Sequence, residues 1–523
     1  MKALHLLAAA AMMACGAATA QAQTLLPAPQ EMTMGKGYFS LTKPYDVKRE
    51  TTVQTDNVFL TPFLSKAVAG AKRVVILRSG RTANREAYSL HITPDTIVVV
   101  ADNKLGFLRA GQTLQQWQRD SRLRSCDIAD EPQYQWRGYM MDFSRHFFDA
   151  DFVKRQIDIL ASYKINVLHM HLVDGVGWRL VIDRYPRLTS YGAWRKRQPD
   201  GKWWQAPVEF LKEGTPGAYG GYFTKQQLRN IVRYAEERGI TCVPEIEMPG
   251  HNDEVTACYP ELACRQPEGE ATRKLPTSTE LCPGNEGVYS FLENVLDEVF
   301  DIFPSKYIHV GGDEAGKGAW HTCPVCQRKA KELGLSNTDD LQAYLISRMS
   351  RFIASRGHKL IGWDEIISDS LNTDEAVMVW RDINHSRKAI SRGCDVVLTP
   401  TSNCYLDYHQ DDPSNLPHAV GPYLPLEQVY ALCPESVLTP DEMQHVLGVQ
   451  GNMWTEWIAT PEYAEFMTYP RILAIAELGW TGTAKKDYKD FRKRAIVQVD
   501  KLKAAGHNPF DLRHEVGEPR KKK

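Results

Sequence analysis

The sequence has no excess of either charge. Its 63 Lys and Arg stand against 64 Asp and Glu, a formal net charge of −1. That balance excludes the electrostatic footprint of a nucleic-acid-binding chain. Beyond its first residues it has no long apolar run, so no stretch is suited to crossing a bilayer as a helix. It also lacks a second Cys-x2-Cys to match Cys323-Pro324-Val325-Cys326. That pair, with His321 close by, therefore predicts a local disulfide or free thiols rather than zinc. Cys264 and Cys282 flank one polar loop and are a candidate disulfide pair. The basic end Arg520-Lys521-Lys522-Lys523 is short and terminal, and reads as a solvated end.

What is present describes a large globular chain. The 523 residues are 43% hydrophobic and 24% charged, enough for a sizeable core, and the length predicts two to four domains. The 12 Trp and 22 Tyr hint at sugar stacking, although most such rings serve as core. The first 22 residues read as an export signal. Lys2 supplies the positive start, Leu6 to Met13 a short apolar stretch, and Ala18-Thr19-Ala20 or Ala20-Gln21-Ala22 a small-residue cleavage site. The expected destination is periplasmic or extracellular. A competing reading lipidates Cys15, but Met12-Met13-Ala14 before it is a poor lipoprotein signal.

Residues 24–132 read as a small α+β domain. Tyr88-Ser-Leu-His-Ile-Thr alternates in polarity, Thr96-Ile-Val-Val-Val-Ala follows the turn residues Pro94-Asp95, and Gly106 to Trp117 reads as helix. From 133 to 505 short apolar runs alternate with amphipathic helices, leaving 506–523 as a tail. Eight runs are candidate strands, around Tyr139, Val167, Thr241, Tyr307, Lys359, Val377, Asp395 and Val446. Eight βα units over about 370 residues predict an α/β fold, a (β/α)8 TIM barrel. One helix is closely specified. Thr224 and Gln227 form a capping box, Leu228, Ile231, Val232 and Ala235 share a face, and Gly239 stops it.

Active sites of such barrels lie at the C-terminal ends of the strands. Polar and aromatic residues follow every one of the eight runs: Asp142, Arg145 and His146; Asp174; Glu245, Glu247 and His251; Asp313 and Glu314; Trp363, Asp364 and Glu365; Trp380, Arg381 and Asp382; Tyr405 and Asp407; Trp454 and Glu456. Val310-Gly-Gly-Asp-Glu314 stands out. Neighbouring side chains on a strand point to opposite faces, so both acids reach one pocket only if the strand has ended, as Gly311 and Gly312 allow. Two carboxyl groups in one partly desolvated pocket are driven apart in pKa, one serving as acid while the other stays ionised. The plainer alternative is a helix start with acids in its first turn. His169 and His171 alternate on one strand face, but no third ligand accompanies them at suitable spacing, so structural hydrogen bonding is expected.

The ordered set Leu26-Pro-Ala-Pro-Gln, Gly111-Gln-Thr-Leu-Gln-Gln, Arg137-Gly-Tyr-Met-Met-Asp-Phe-Ser-Arg-His, His169-Met-His-Leu-Val-Asp, Pro244-Glu-Ile-Glu-Met-Pro-Gly-His and His309-Val-Gly-Gly-Asp-Glu resembles glycoside hydrolase family 20, the β-N-acetylhexosaminidases. The resemblance runs over nearly the whole chain after the leader. It implies exo-acting, retaining removal of terminal β-linked GlcNAc or GalNAc from glycans by substrate-assisted catalysis, with no cofactor and no metal. It makes Glu314 the acid/base and Asp313 the group that orients the 2-acetamido nucleophile on the way to an oxazolinium intermediate. It makes Arg145, Asp407 and Glu456 binders of sugar hydroxyls, and Tyr405 a donor to the acetamido oxygen. Asp174 orients Arg145, and Trp363, Trp380 and Trp454 wall the pocket. His251 with Glu247 supports the catalytic acid. One departure stands: many relatives carry two consecutive acids where this chain has Asp174-Gly175. Two other readings compete, a two-carboxylate retaining glycosidase with Glu245 or Asp364 as nucleophile, and a catalytically silent carbohydrate-binding protein.

Overall fold

In a computed structural model the chain is described over residues 24–517, apart from 83, 199–202, 204–207, 265–279, 372 and 418. The expected leader at 1–22 with Cys15, and the basic end at 520–523, lie outside these residues.

The N-terminal part forms a six-stranded mixed sheet. Its strands at Tyr88–Ile92 and Thr96–Ala101 pair antiparallel, and buried and more exposed positions alternate along both. One face is thus core and the other solvated, as period-2 patterning requires. The helix Lys104–Trp117, capped by Asn103, buries Phe107, Ala110 and Leu114 against the sheet.

The remainder is a closed barrel of eight parallel strands: Trp136–Asp142, Val167–His171, Thr241–Glu245, Tyr307–His309, Lys359–Trp363, Ala376–Val379, Asp395–Leu398 and Val446–Met453. Each coincides with one of the eight apolar runs. Four are buried along their whole length, and the other four at all but one position, because helices cover the outside and side chains fill the inside. The helix Lys225–Glu236 carries the expected capping box, buries Leu228, Ile231, Val232 and Ala235, and is followed by Gly239 at φ 71°. Trp136, Val167, Val243, Tyr307, Ile361, Met378 and Val397 fill the barrel interior. The described part of the stretch expected as a tail, residues 506–517, is docked at Phe510 and Leu512. Phe510 and Leu512 are buried, and the Phe510 amide donates to the Tyr469 carbonyl at 2.9 Å. Two large apolar side chains explain why it does not hang free.

The two parts share a buried ionic seam. Glu86 accepts from Arg109 at 2.7 Å and from Arg137 on the first barrel strand, and Lys164 meets Asp130 at 2.8 Å. Burial alone raises the Glu86 pKa, but Arg137 and Arg109 outweigh it and hold the carboxyl at about 2, below its ordinary 4.5. A depressed carboxylate contributes stability above its unfolded pKa and loses it as pH falls toward the folded value. Glu86→Ala leaves two buried guanidinium groups without their anion, a loss of about 3–5 kcal/mol. Thermal melts should show Tm several degrees lower than wild type at pH 7, with the gap narrowing between pH 4.5 and 2. Equal melting at pH 7 would show that the seam carries no net stability.

Candidate active site

The fourth barrel strand ends at His309, and the chain then leaves extended geometry. Gly311 and Gly312 take φ 62° and 94°, and Glu314 itself takes φ 47°. A Cβ on Gly311 would stand 1.7 Å from Oε2 of Glu247, so only glycine lets the Glu247 carboxyl lie against this backbone. The Gly312 carbonyl accepts from Gln342 at 2.7 Å, and the Gly311 carbonyl from the Trp363 amide at 2.8 Å. This break in alternation turns both acids toward one pocket. They differ in burial: the Asp313 side chain is 13% exposed and that of Glu314 62%. The partly desolvated setting expected for the pair therefore holds for Asp313 and not for Glu314.

Asp313, Glu314, Arg145, Asp174, His251, Trp363, Trp380, Tyr405, Asp407, Trp454 and Glu456 all line one cavity of about 550 Å³ at the C-terminal rim. Its floor and wall form a chain of rings, with Trp363 and Trp454 centroids 5.9 Å apart, Trp454 and Tyr405 6.3 Å, and Tyr405 and Trp380 6.3 Å. The Trp363 and Trp380 indoles are fixed by donating to Glu245 at 2.8 Å and to Glu365 at 3.0 Å. Arg145 lies 2.6 Å from Asp174 and 3.3 Å from Asp142, with its guanidinium over the Trp454 ring. These carboxylates overcome burial and keep Arg145 firmly cationic. Arg145 in turn, with His251 and His171, holds Asp174 well below the usual carboxylate range despite burial.

His251 stands between the two acidic groups. Its Nδ1 is 3.4 Å from Asp174, and its Nε2 is 3.5 Å from Asp313 and 3.7 Å from Glu314. Burial lowers its pKa, but Asp174 and Asp313 raise it well above the ordinary range, so it carries a proton at neutral pH. Glu247 is buried and does not line the cavity, but it lies near enough to Asp313 and His251 for their charges to act on it. Neither of its oxygens has a hydrogen-bond partner among the described residues. Burial, then Asp313 and Glu245, pushes its carboxyl well up. At the opposite end, burial raises Asp407, helped by Glu456, and Glu456 is raised likewise against the pull of Arg145.

Three features were not read from the sequence. Over Gly175, where the family resemblance implied a second acid, the Asp253 carboxylate fills the space: its Oδ2 is 2.5 Å from where a Cβ would stand. Burial and the neighbouring Asp174 push Asp253 up to about 7. The residue lies two places after His251, but no spacing rule points from one loop to the gap in another. Second, a partner for His169 and His171 does exist. Glu245 reaches His169 at 3.0 Å, His309 at 2.8 Å, and His171 as well. The carboxylate and His309 arrive from neighbouring strands, so spacing along one strand hides them. Glu245 is wholly buried beneath Trp363 and does not line the cavity, which removes it as a nucleophile. Third, Glu314 also borders a second cavity of about 610 Å³, lined by Lys317, Gln342, Asp364, Glu365, Arg381 and Lys388 among others. Asp364, the other candidate nucleophile, lies there with Arg381 at 2.7 Å.

A pocket of sugar size on the rim of a (β/α)8 barrel, walled by rings and rich in carboxylates, defines a glycoside hydrolase. Comparison with known proteins makes the family plain. Residues 134–483 match the glycosyl hydrolase family 20 catalytic domain, and residues 22–131 match domain 2 of that family. A β-hexosaminidase of Porphyromonas gingivalis is 41% identical over 380 residues, 72% of this chain and 47% of that protein, so the match spans about half the relative's length. A β-hexosaminidase of Akkermansia muciniphila is 31% identical over 83% of this chain and 85% of its own. Among solved structures, the exo β-N-acetylglucosaminidase of Vibrio harveyi in complex with N-acetylglucosamine aligns with TM-score 0.81 and 30% identity, over 94% of this chain and 79% of that one. The β-N-acetylhexosaminidase of Bacteroides fragilis aligns with TM-score 0.79 and 28% identity, over 93% and 97%. The chain belongs to glycoside hydrolase family 20.

Proposed function

We propose that the protein is an exo-acting, retaining β-N-acetylhexosaminidase that removes terminal β-linked GlcNAc or GalNAc from glycans with help from the substrate's own acetamido group. The observation that carries this is the convergence of Asp313 and Glu314, adjacent in sequence, on a pocket floored by Trp363, Tyr405 and Trp454. Glu314 stands between two cavities, where a general acid must be to protonate the oxygen joining the sugar to its leaving group. The pocket holds the terminal sugar and the adjoining cavity receives the leaving group. Asp313 accepts from the acetamido N–H, and the Tyr405 hydroxyl, which burial and Asp407 keep protonated, donates to the acetamido oxygen. That oxygen attacks the anomeric carbon from within the same molecule, and such proximity contributes up to about 7–11 kcal/mol. The bond to the leaving oxygen breaks as Glu314 gives up its proton. Water then opens the oxazolinium ion with Glu314 as base, restoring the β configuration. Arg145, Asp407 and Glu456 hold the hydroxyls at the far end, and Arg145 offers them a planar fork of donors.

A thiazoline analogue of the acetamido sugar should inhibit competitively. An aryl β-GlcNAc should be cleaved on the order of 10³-fold or more faster than the aryl β-glucoside, which lacks the internal nucleophile. Failure of the thiazoline to compete would remove the substrate-assisted route, and no hydrolysis at all would favour a silent binding protein. We further place the enzyme in the periplasm or outside the cell, on the pattern of Lys2, Leu6 to Met13 and the alanines before residue 23. N-terminal sequencing of the processed protein checks this, because a start at Cys15 would replace free export with a lipid anchor.

A further inference from the structure

Four cysteines from two separate stretches of the sequence, Cys264 and Cys282 and then Cys323 and Cys326, meet at one point beside the catalytic loop. Cys264 and Cys326 lie 3.7 Å apart at sulfur, Cys282 and Cys323 3.8 Å, and Cys282 and Cys326 3.5 Å. All four sulfurs fall within 4.8 Å of one another. Cys282, Cys323 and Cys326 are buried and Cys264 is partly so. The contacts are shared rather than exclusive: Cys282 touches both Cys323 and Cys326, and Cys326 touches both Cys282 and Cys264. That is a cluster around a centre rather than two separate pairs. A tetrahedron with metal–sulfur bonds of about 2.3 Å has sulfur–sulfur edges of about 3.8 Å. We propose that Cys264, Cys282, Cys323 and Cys326 bind one Zn²⁺ as a closed tetrathiolate site. This replaces the expectation of a local Cys264–Cys282 disulfide and an isolated Cys323/Cys326 pair.

The surroundings suit such a site. Cys323 precedes the helix Pro324–Glu332 and Cys326 lies in its first turn, so the positive end of the helix faces the thiolates. Gly284 brings its backbone against Cys326, since a Cβ there would stand 2.7 Å from the Cys326 Cα and nitrogen. An isolated bridge between Ala263 and Leu281 brings the first two ligands side by side across the segment that separates them in sequence. Four soft thiolates with no open position select zinc as a structural ion. The site joins the loop after the third barrel strand to the segment after the fourth. Between the two, the Gly316 amide donates to Glu280 at 2.9 Å. Glu314 lies nine residues before Cys323 on the joined segment, so the ion fastens the loop that presents it.

The full chain, purified without chelator or reductant, should contain about one zinc per chain by elemental mass spectrometry. A mercurial that titrates thiols should release that zinc to a chromogenic chelator. Alkylation in denaturant without reductant, read by peptide mass, should find all four cysteines modified. The outcomes that overturn the site are these: disulfide-linked peptides among these four cysteines with no zinc; four free thiols that take up no zinc on reconstitution; or iron in place of zinc. A Cys323→Ser/Cys326→Ser variant should lose its zinc if it folds. The wild-type stoichiometry and alkylation pattern decide the matter if it does not. None of these readouts depends on hydrolysis, so they are independent of the proposed activity.

Discussion

Glu314→Gln should lose about 10²–10⁴-fold in turnover on a β-N-acetylhexosaminide with a poor leaving group. Glutamine keeps the shape and the backbone, including the strained φ of 47°, and removes only the exchangeable proton. The deficit should shrink on a nitrophenyl glycoside, whose leaving group departs without a proton. The second step then limits, because water needs Glu314 as base. Azide, a nucleophile already ionised, should restore turnover on the activated substrate and give a β-glycosyl azide. Equal rates for variant and wild type on the poor leaving group would show that Glu314 is not the acid. A constant deficit across leaving groups with no response to azide would point to a structural role. The geometry favours the chemical outcome. The side chain is 62% exposed and borders both cavities, so its replacement leaves no buried group unpaired.

The pattern of what the sequence reveals follows from how each feature is encoded. The barrel is legible because each strand is a short apolar run, such as Val167 to His171 or Asp395 to Leu398, bracketed by helices of period 3.6. The rim residues are legible because a barrel fixes which end of each strand faces substrate, so Tyr405 and Glu456 stand out by position alone. Features that require two distant segments to meet are not legible. Cys264 and Cys282 are separated by 17 intervening residues and meet Cys323 and Cys326 only in space. Asp253 fills the gap above Gly175 from another loop. The Glu245 carboxylate approaches His169 and His309 within ion-pair distance across strands. Burial of Phe510 and Leu512 is a fourth case, since nothing local says what a C-terminal apolar pair packs against.

Asp313→Asn should cost about 10²–10³-fold in kcat/KM, comparable to removing one group aimed at developing charge. The asparagine oxygen still accepts from the acetamido N–H, so geometry is largely kept and the missing quantity is the negative charge. In the proposed route positive charge grows on the acetamido group as its oxygen attacks, and Asp313 offsets it. The thiazoline, which resembles that state, should therefore bind about 10²-fold more weakly, while a ground-state sugar product changes little. A variant that weakened product and thiazoline equally would show a role in binding alone. A second readout comes from His251. Burial lowers its pKa, and Asp174 and Asp313 raise it well above 6.5. Removing one of the two anions must move that value down, toward neutral pH. NMR titration of His251 should show a larger shift in Asp313→Asn than in Glu314→Gln, because Asp174 and Asp313 are the main groups that raise it and the more exposed Glu314 is better screened. The two adjacent acids then separate by measurement: one tracks the leaving group, the other the charge on the internal nucleophile.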